Sequence, residues 1–421
     1  MSATTPEAAD VDLARLDLTD SRLARDGFPH AVFTRLRKEA PVWWQPVVAT
    51  DPPRVIDPGF WVLSKYDDVQ AVSRDAELFC SIDGPTIAHT PGMEGTMLVT
   101  MDGEQHARQR KIISAGFTPR MVARLEDQAR AWAGKIVDDA LARGRVEFVQ
   151  EVAYQLPMHM IADIVGIPLE DRKSLFDLAT KVLNPGDPDD PDTATRHLVS
   201  QAEMFEYAQK LVQKKRENPQ DDVWTIISNA EVDAGDGRTG KLSETELNFF
   251  FFLLTLAGSE TTRNAISHGL MALLDHPDQL ETLRRDPEAM RPAVEEIVRW
   301  SSPVAYFARR ATRDTEIRGV KIAKGDRVTL WYPSANRDED VFDEPFRFDI
   351  GRTPNHHVAF GGGGAHFCLG ANLARREIAI LFEELLARTR EIEILEPPKY
   401  SALGILNPIL VIPSEIRVRM A

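Results

Sequence analysis

The chain has 421 residues, 43% of them hydrophobic, enough to bury a large core, and a formal net charge of -15. That acidic balance argues against nucleic acid as a partner, because phosphates would repel the protein. Only two cysteines are present, Cys80 and Cys368. This excludes a disulfide framework and leaves two thiols, either of which could do chemistry.

Residues 1–20 are polar and carry neither a basic n-region nor an apolar h-region, so no secretory signal is read there. They are expected to form a mobile N-terminal segment ahead of a single domain over 21–421. A strand-like piece follows at Phe60–Ser64, and others occur at Val328–Tyr332 and Leu410–Pro413, set off by Gly and Pro signals such as Lys324-Gly325-Asp326. Helical periodicity dominates from about Pro119 onward. The Pro- and Asp-rich segment Asn184–Asp192 forbids a continuous helix and reads as a loop. Ser243 and Glu246 form a Ser-x-x-Glu capping box before an apolar run that continues periodically to Leu274, and His276-Pro277 ends it. That helix has roughly thirty residues, or about 45 Å, and would cross a whole domain. The longest apolar stretch, Phe249–Ala257, is too short to span a bilayer. The expectation is a cytoplasmic, mainly α protein with small β-sheets.

Four motifs carry chemistry. Asp102-x-x-x-His106-x-x-x-Arg110 opens a helix and runs into Phe117-Thr118-Pro119-Arg120. Ala257-Gly258-Ser259-Glu260-Thr261-Thr262 interrupts the apolar face of the long helix with an acid and an alcohol. Glu296 and Arg299 stand three apart, ahead of Trp300-Ser301-Ser302-Pro303. Finally, Phe360–Gly370 reads FGGGGAHFCLG and leads into the helical stretch ANLARREIAILFEELLAR. A Cys at a helix start is expected to have a lowered pKa, since N-terminal N–H groups stabilise a thiolate, and glycines let the backbone approach a flat partner. Taken alone, Cys368 could be a buried structural thiol or a nucleophile with His366 as its base. A phosphate-cradling loop is disfavoured, because the Lys-Ser/Thr of a P-loop is absent.

Together, in this order and spacing, the four motifs resemble the cytochrome P450 family, from about Asp20 to the C-terminus. Within it the chain looks most like the bacterial branch that oxidises sterol side chains and methyl-branched lipids. The shared phrases are Arg110–Ser114, Gly116–Arg120, Gly258–Asn264, Ser334–Arg337 and Gly364–Cys368. Two departures stand out. The family Phe seven residues before the Cys is replaced by Gly361, with Phe360 one position earlier. Glu260 stands where many members carry Asp.

The resemblance implies the P450 fold, a mainly α triangular prism with small β-sheets and a long central helix over the haem. It implies heme b (iron protoporphyrin IX), with Cys368 as thiolate ligand to the metal. His106, Arg110, Arg309 and His366 would meet the haem propionates, Ala257, Gly258, Phe360 and Gly370 would line the macrocycle, and Gly364 would let the ligand loop lie close beneath it. Arg310 is expected to be a solvent-facing arginine. Glu260 and Thr261 would be the catalytic acid–alcohol pair that delivers protons, the carboxylate connecting to solvent and Gly258 letting the helix open locally. Thr261 could instead, or also, bond a carbonyl one turn back. Glu296 and Arg299 would form a structural ion pair, with Arg347 or Arg352 as third member. Met97, Leu98, Leu253, Ala257, Val304, Phe307 and Leu406 are the candidate substrate contacts.

The activity implied is monooxygenation of a lipophilic substrate: a sterol, terpenoid or branched fatty chain. A ferredoxin and ferredoxin reductase would bring electrons from NAD(P)H, docking on Arg108, Lys111, Arg120 and Arg375 or Arg376. The chain is expected to be a monomer with no membrane span. Rival readings are a non-catalytic haem-binding sensor or electron-transfer protein, and a cysteine hydrolase.

Overall fold

The computed structural model describes residues 12–20, 23, 26–47, 57–87, 94–117, 119–183, 192–233, 239–403 and 410–421. Helices account for most of it: α1 (His30–Glu39), α2 (Tyr66–Arg74), α3 (Gly103–Ala115), α4 (Pro119–Arg143), α5 (Gln155–Val165), α6 (Leu169–Leu183), α7 (Thr193–Glu217), α8 (Val223–Asn229), α9 (Glu244–Asp275), α10 (Pro277–Arg285), α11 (Met290–Ser301), α12 (Tyr332–Ala335) and α13 (Ala371–Arg388). Three helices precede Pro119: α3 begins at the Asp102 motif, where a helix was expected, and α1 and α2 are short additional helices.

Helix α9 organises the rest. Its start is fixed by the capping box: the Glu246 amide donates to Ser243 Oγ at 3.1 Å, and the Ser243 amide donates to Glu246 Oε2 at 2.8 Å. Its end is fixed because Pro277 cannot extend it and opens α10 instead. Between these points α9 runs 32 residues through the main core and is packed by α5, α7, α11 and α13. Phe250 and Phe251 in its first half meet the buried Trp224 ring of α8 at 6.0 and 5.8 Å.

The main sheet has the strand order Val42–Pro46, Gly59–Leu63, Arg327–Trp331, Tyr306–Ala311, Phe79–Cys80. Only the pair of Gly59–Leu63 with Arg327–Trp331 is parallel. The central strand Arg327–Trp331 is buried throughout, because both its faces are covered. Strand alternation sends neighbours to opposite faces, and this separates Arg309 from Arg310. Arg310 is not the solvent-facing arginine expected: it is half-buried and ion-paired to Asp57 and Asp83.

Of the segment 1–20, residues 12–20 are described and are tied down: Leu18 is buried, and its amide donates to Gln45 Oε1 at 3.2 Å. Residues 184–191 of the expected loop, and Leu406, lie outside the described residues.

Glu296 and Arg299 on α11 are both 0% exposed. Arg299 donates from Nε and Nη2 to the two carboxylate oxygens at 2.7 Å each, and from Nη1 to the Asn336 and Pro345 carbonyls. Arg352 is the third member, with Nε 3.2 Å from Glu296 Oε2, whereas Arg347 is exposed and pairs with Glu344. The cluster pins the segment leading to the Cys368 loop against α11. Removing one partner leaves an unpaired charge in the core. Arg299→Leu is therefore expected to cost about 3–5 kcal/mol in denaturant unfolding, and the exposed Arg347→Ala less than about 0.5 kcal/mol.

Candidate active site

The Cys368 loop is held by its own backbone. The Cys368 amide donates to the Phe360 carbonyl at 2.9 Å, and Phe367 N–H to Gly364 O at 3.2 Å. Two of its glycines lie close against α2. A methyl group on Gly362 would come within 2.8 Å of Gln70 Cα. One on Gly364, at φ +79°, would come within 2.7 Å of the Ser73 carbonyl. Gly370, expected at a close approach, has nothing within 4 Å of where its Cβ would stand. On the loop's other side Arg375 lies 4.4 Å over the Phe360 ring and is ion-paired to Glu295, which also contacts His357.

Cys368 keeps an accessible face. The protein packed around the rest of it nevertheless pushes its thiol pKa up, outweighing the Gly370 N–H and the charges of Arg110 and Arg375. The lowering expected from a helix start does not prevail, because Cys368 sits three residues ahead of α13. A metal bound at this sulfur would supply the positive charge that holds it as thiolate.

Around this sulfur stands a group of donors with few acceptors. His106 and Arg110 lie one turn apart on α3. The His106 and His366 rings are 4.3 Å apart. His366 Nε2 lies 3.2 Å from Asp102 Oδ1 and 3.1 Å from Ser81 Oγ, and Asp102 Oδ2 accepts the Ser81 amide at 2.7 Å. Arg110 donates to the Phe367 carbonyl at 2.7 Å. His106 Nε2 is buried and has no hydrogen-bond partner. Burial, then His366 and Arg110, lower its pKa to about 4, so it is neutral near pH 7. Arg309 is 7% exposed and donates only to its neighbour's carbonyl, with no carboxylate partner among the described residues. A buried guanidinium without a counter-charge is costly. An orphaned imidazole beside it makes the pair suited to carboxylates brought by a ligand. Haem, with its two propionates and its metal, fits both these donors and the sulfur.

Helix α9 supplies the facing wall. Ala257 is exposed, and Thr261 Oγ1 donates to its carbonyl at 2.8 Å, one turn back. Gly258 does not open the helix, which runs through it unbroken. Its missing side chain instead admits Ile161 of α5, which a Cβ would meet at 3.1 Å. Glu260 is buried and ion-paired to Arg263, whose guanidinium lies 5.6 Å from the Tyr154 ring centre. Burial raises its pKa, with Arg263 opposing. The apolar candidates divide. Met97 and Leu253 are half-buried against the helical core, and Leu98 is within that core. Val304 and Phe307 are half-buried against the sheet.

Sequence reading gave no role to Asp102, Ser81 or Arg263. Asp102 stood in the quoted motif four residues before His106, and Arg263 stood three after Glu260, the ion-pair spacing on a helix. Ser81 carried no signal, because only the fold brings it to His366.

The cytochrome P450 family model matches residues 26–406. The steroid C26-monooxygenase of Rhodococcus jostii is 40% identical over 407 residues, covering 93% of this chain and 83% of that protein. The methyl-branched lipid omega-hydroxylase of Mycobacterium tuberculosis H37Rv is 43% identical over 401 residues, covering 93% and 91%. A Mycobacterium marinum cytochrome P450 solved with pseudoionone superposes with a TM-score of 0.85 at 36% identity, covering 97% of this chain and all of that one. The chain belongs to the cytochrome P450 family, and is a monooxygenase of that family, which implies a haem cofactor. No helix among the described residues is long and apolar enough to cross a membrane.

The Arg309 contact generates a prediction. A charge-assisted bond contributes about 1.5–3 kcal/mol, so Arg309→Leu is expected to release haem about tenfold faster or more. Transfer to apomyoglobin measures this. Unchanged haem loss would remove Arg309 from the cofactor site.

Proposed function

We propose that this monooxygenase binds heme b through Cys368 and hydroxylates the alkyl side chain of a sterol or a methyl-branched lipid. The observations that carry the cofactor assignment are the accessible sulfur of Cys368, the buried His106 Nε2 with no hydrogen-bond partner, and the buried Arg309 with no carboxylate partner among the described residues. The substrate class rests on the names of two relatives at 40% and 43% identity and on the half-buried apolar residues Met97, Leu253, Val304 and Phe307.

Heme b, when bound, supplies oxygen activation, with the thiolate favouring O–O cleavage. The chain's residues do the remaining work. His106, Arg110, Arg309 and His366 orient the cofactor by its carboxylates. Met97, Leu253, Val304 and Phe307 exclude water and hold the hydrocarbon. Thr261 Oγ1 holds a proton at the cleft wall and is resupplied through Glu260. That carboxyl must first exchange its Arg263 partner for water, so proton delivery is gated by an ion pair. One oxygen atom enters a C–H bond, and the other leaves as water.

A ferredoxin, recharged from NAD(P)H by its reductase, is the electron source in this reading. Four of the arginines expected to receive it already have internal partners: Arg108 with Glu246, Arg120 with Asp221, Arg375 with Glu295 and Arg376 with Glu126. An acidic ferredoxin has to compete with these carboxylates. Lys111 is exposed and has no ion-pair partner among the described residues, so it carries the largest share of steering. The net charge of -15 supports a monomer through mutual repulsion between copies.

The test is turnover with a surrogate ferredoxin and reductase on a sterol bearing an alkyl side chain and on a methyl-branched fatty acid. Side-chain hydroxylation of either is expected, while the absence of product and of any substrate-induced spectral shift with both would overturn the substrate class. In the same assay Thr261→Ala should leave haem bound and lower product per NAD(P)H severalfold; unaltered coupling would make Thr261 purely structural. Lys111→Glu should slow reduction and flatten its ionic-strength dependence, whereas an unchanged salt profile would put the electron donor elsewhere.

A further inference from the structure

Two buried ion pairs of the same i,i+3 spacing are built differently. Arg299 grips Glu296 with two nitrogens on two oxygens, at 2.7 Å each. Arg263 meets Glu260 through Nη2 on Oε2, and the contact makes no hydrogen bond. Arg263 Nε is buried with no hydrogen-bond partner, and no second carboxylate pairs with this arginine among the described residues. The first pair is fastened in two directions. The second is held by charge alone.

The Arg263 guanidinium has one further partner, the ring of Tyr154. Tyr154 stands between the π-helical turn Val149–Ala153 and α5 and is 4% exposed. The guanidinium carbon lies 5.6 Å from its ring centre, within cation–π range. The Tyr154 hydroxyl is engaged elsewhere. Thr180 of α6 donates its hydroxyl hydrogen to the Phe176 carbonyl at 2.9 Å, so Tyr154 is the donor in its 3.3 Å contact with Thr180 Oγ1. Burial, foremost, pushes the Tyr154 pKa up to about 12, so the phenol stays neutral and supplies no counter-charge. What it presents to Arg263 is a ring face. That face attracts a bare cation more strongly than a cation paired with a carboxylate, because its negative quadrupole repels the carboxylate. The attraction therefore grows when Glu260 turns away, and a contact that is stronger in one state shifts the balance toward it. Without the ring, the departure of Glu260 would strand a buried guanidinium at high cost.

We propose that Tyr154 is a positioning residue of the proton path: its ring holds the Arg263 guanidinium while Glu260 turns from it to water and resupplies Thr261. The proposal rests on the reading of Glu260 and Thr261 as the proton-delivering pair. Tyr154 acts through Arg263, and the Thr180 bond fixes the orientation of its ring.

The experiment uses the haem-loaded protein with the surrogate ferredoxin and reductase. Tyr154→Leu should lower product per NAD(P)H about fivefold and enlarge the solvent isotope effect on turnover, while the substrate-induced spectral shift titrates at an unchanged concentration. Tyr154→Phe keeps the ring and should recover most of the loss. Wild-type coupling and isotope effect in Tyr154→Leu would overturn the proposal. So would a Tyr154→Phe enzyme as impaired as Tyr154→Leu, which would place the role in the hydroxyl. Glu260→Gln separates the proposal from the reading beneath it. If Glu260→Gln lowers coupling and Tyr154→Leu does not, Tyr154 alone is excluded; if Glu260→Gln itself leaves coupling unaltered, the proton path falls and the role of Tyr154 with it. If Tyr154→Leu does not fold, replacement of Tyr154 by phenylalanines of rising ring fluorination decides the matter, since these keep the shape and weaken the ring face. Coupling should fall stepwise along that series, and a flat series would refute the proposal.

Discussion

The bidentate contact between Arg299 and Glu296 is the constraint on which the site depends. Both groups are wholly buried, so neither could remain charged without the other. Arg299 spends its remaining donors on the carbonyls of Asn336, Pro345 and Arg347, and Glu296 takes the Asp349 amide, Arg352 and Asn355. A long irregular segment is thereby fastened to α11 by charge rather than by regular secondary structure. The Cys368 loop begins where that segment ends, and its position is inherited from it.

A contrast between paired and unpaired cations separates structure from function. Arg37, Arg172, Arg299 and Arg310 each meet a carboxylate of the chain itself. Arg309, on the next residue of the same strand as Arg310, does not. Alternation along the strand gives one arginine a carboxylate partner and leaves the other without one among the described residues. The same logic marks His106, neutral and orphaned beside His366. Around Cys368 the protein favours the thiol, so the charge that a thiolate needs has to arrive with the ligand.

How much of this was legible in the sequence depended on the range of the interaction. The ends of α9 were readable because a capping box and a proline act within one turn, and the structure places them at Ser243 and Pro277. The strands around Trp61 and Val328 were readable from their apolar runs and flanking turns. The helix opening at the Asp102 motif was readable as α3, whereas the short helices α1 and α2, of ten and nine residues, were not read. At the site, the i,i+3 and i,i+4 spacings of Glu296–Arg299 and His106–Arg110 exposed those pairs. The third member of the ion cluster stayed undecided between Arg347 and Arg352, because both lie in an irregular segment where spacing says nothing about direction. Gly258 and Gly364 also allow close packing against Ile161 and Ser73 on neighbouring helices, which the sequence did not show. Such approaches are set by tertiary packing and leave no mark in the local sequence. Glu260 likewise looked like a route to solvent until its pairing with Arg263 deep in the fold was in view.

The central claim is a bond between the sulfur of residue 368 and haem iron. Resonance Raman spectroscopy of the ferric protein tests it most directly, using a Cys80→Ala variant grown on heavy-sulfur cysteine so that position 368 supplies the only cysteine sulfur. The account predicts an iron–sulfur stretching band that moves to lower frequency with the heavier isotope. A haem spectrum with no sulfur-sensitive band would contradict it.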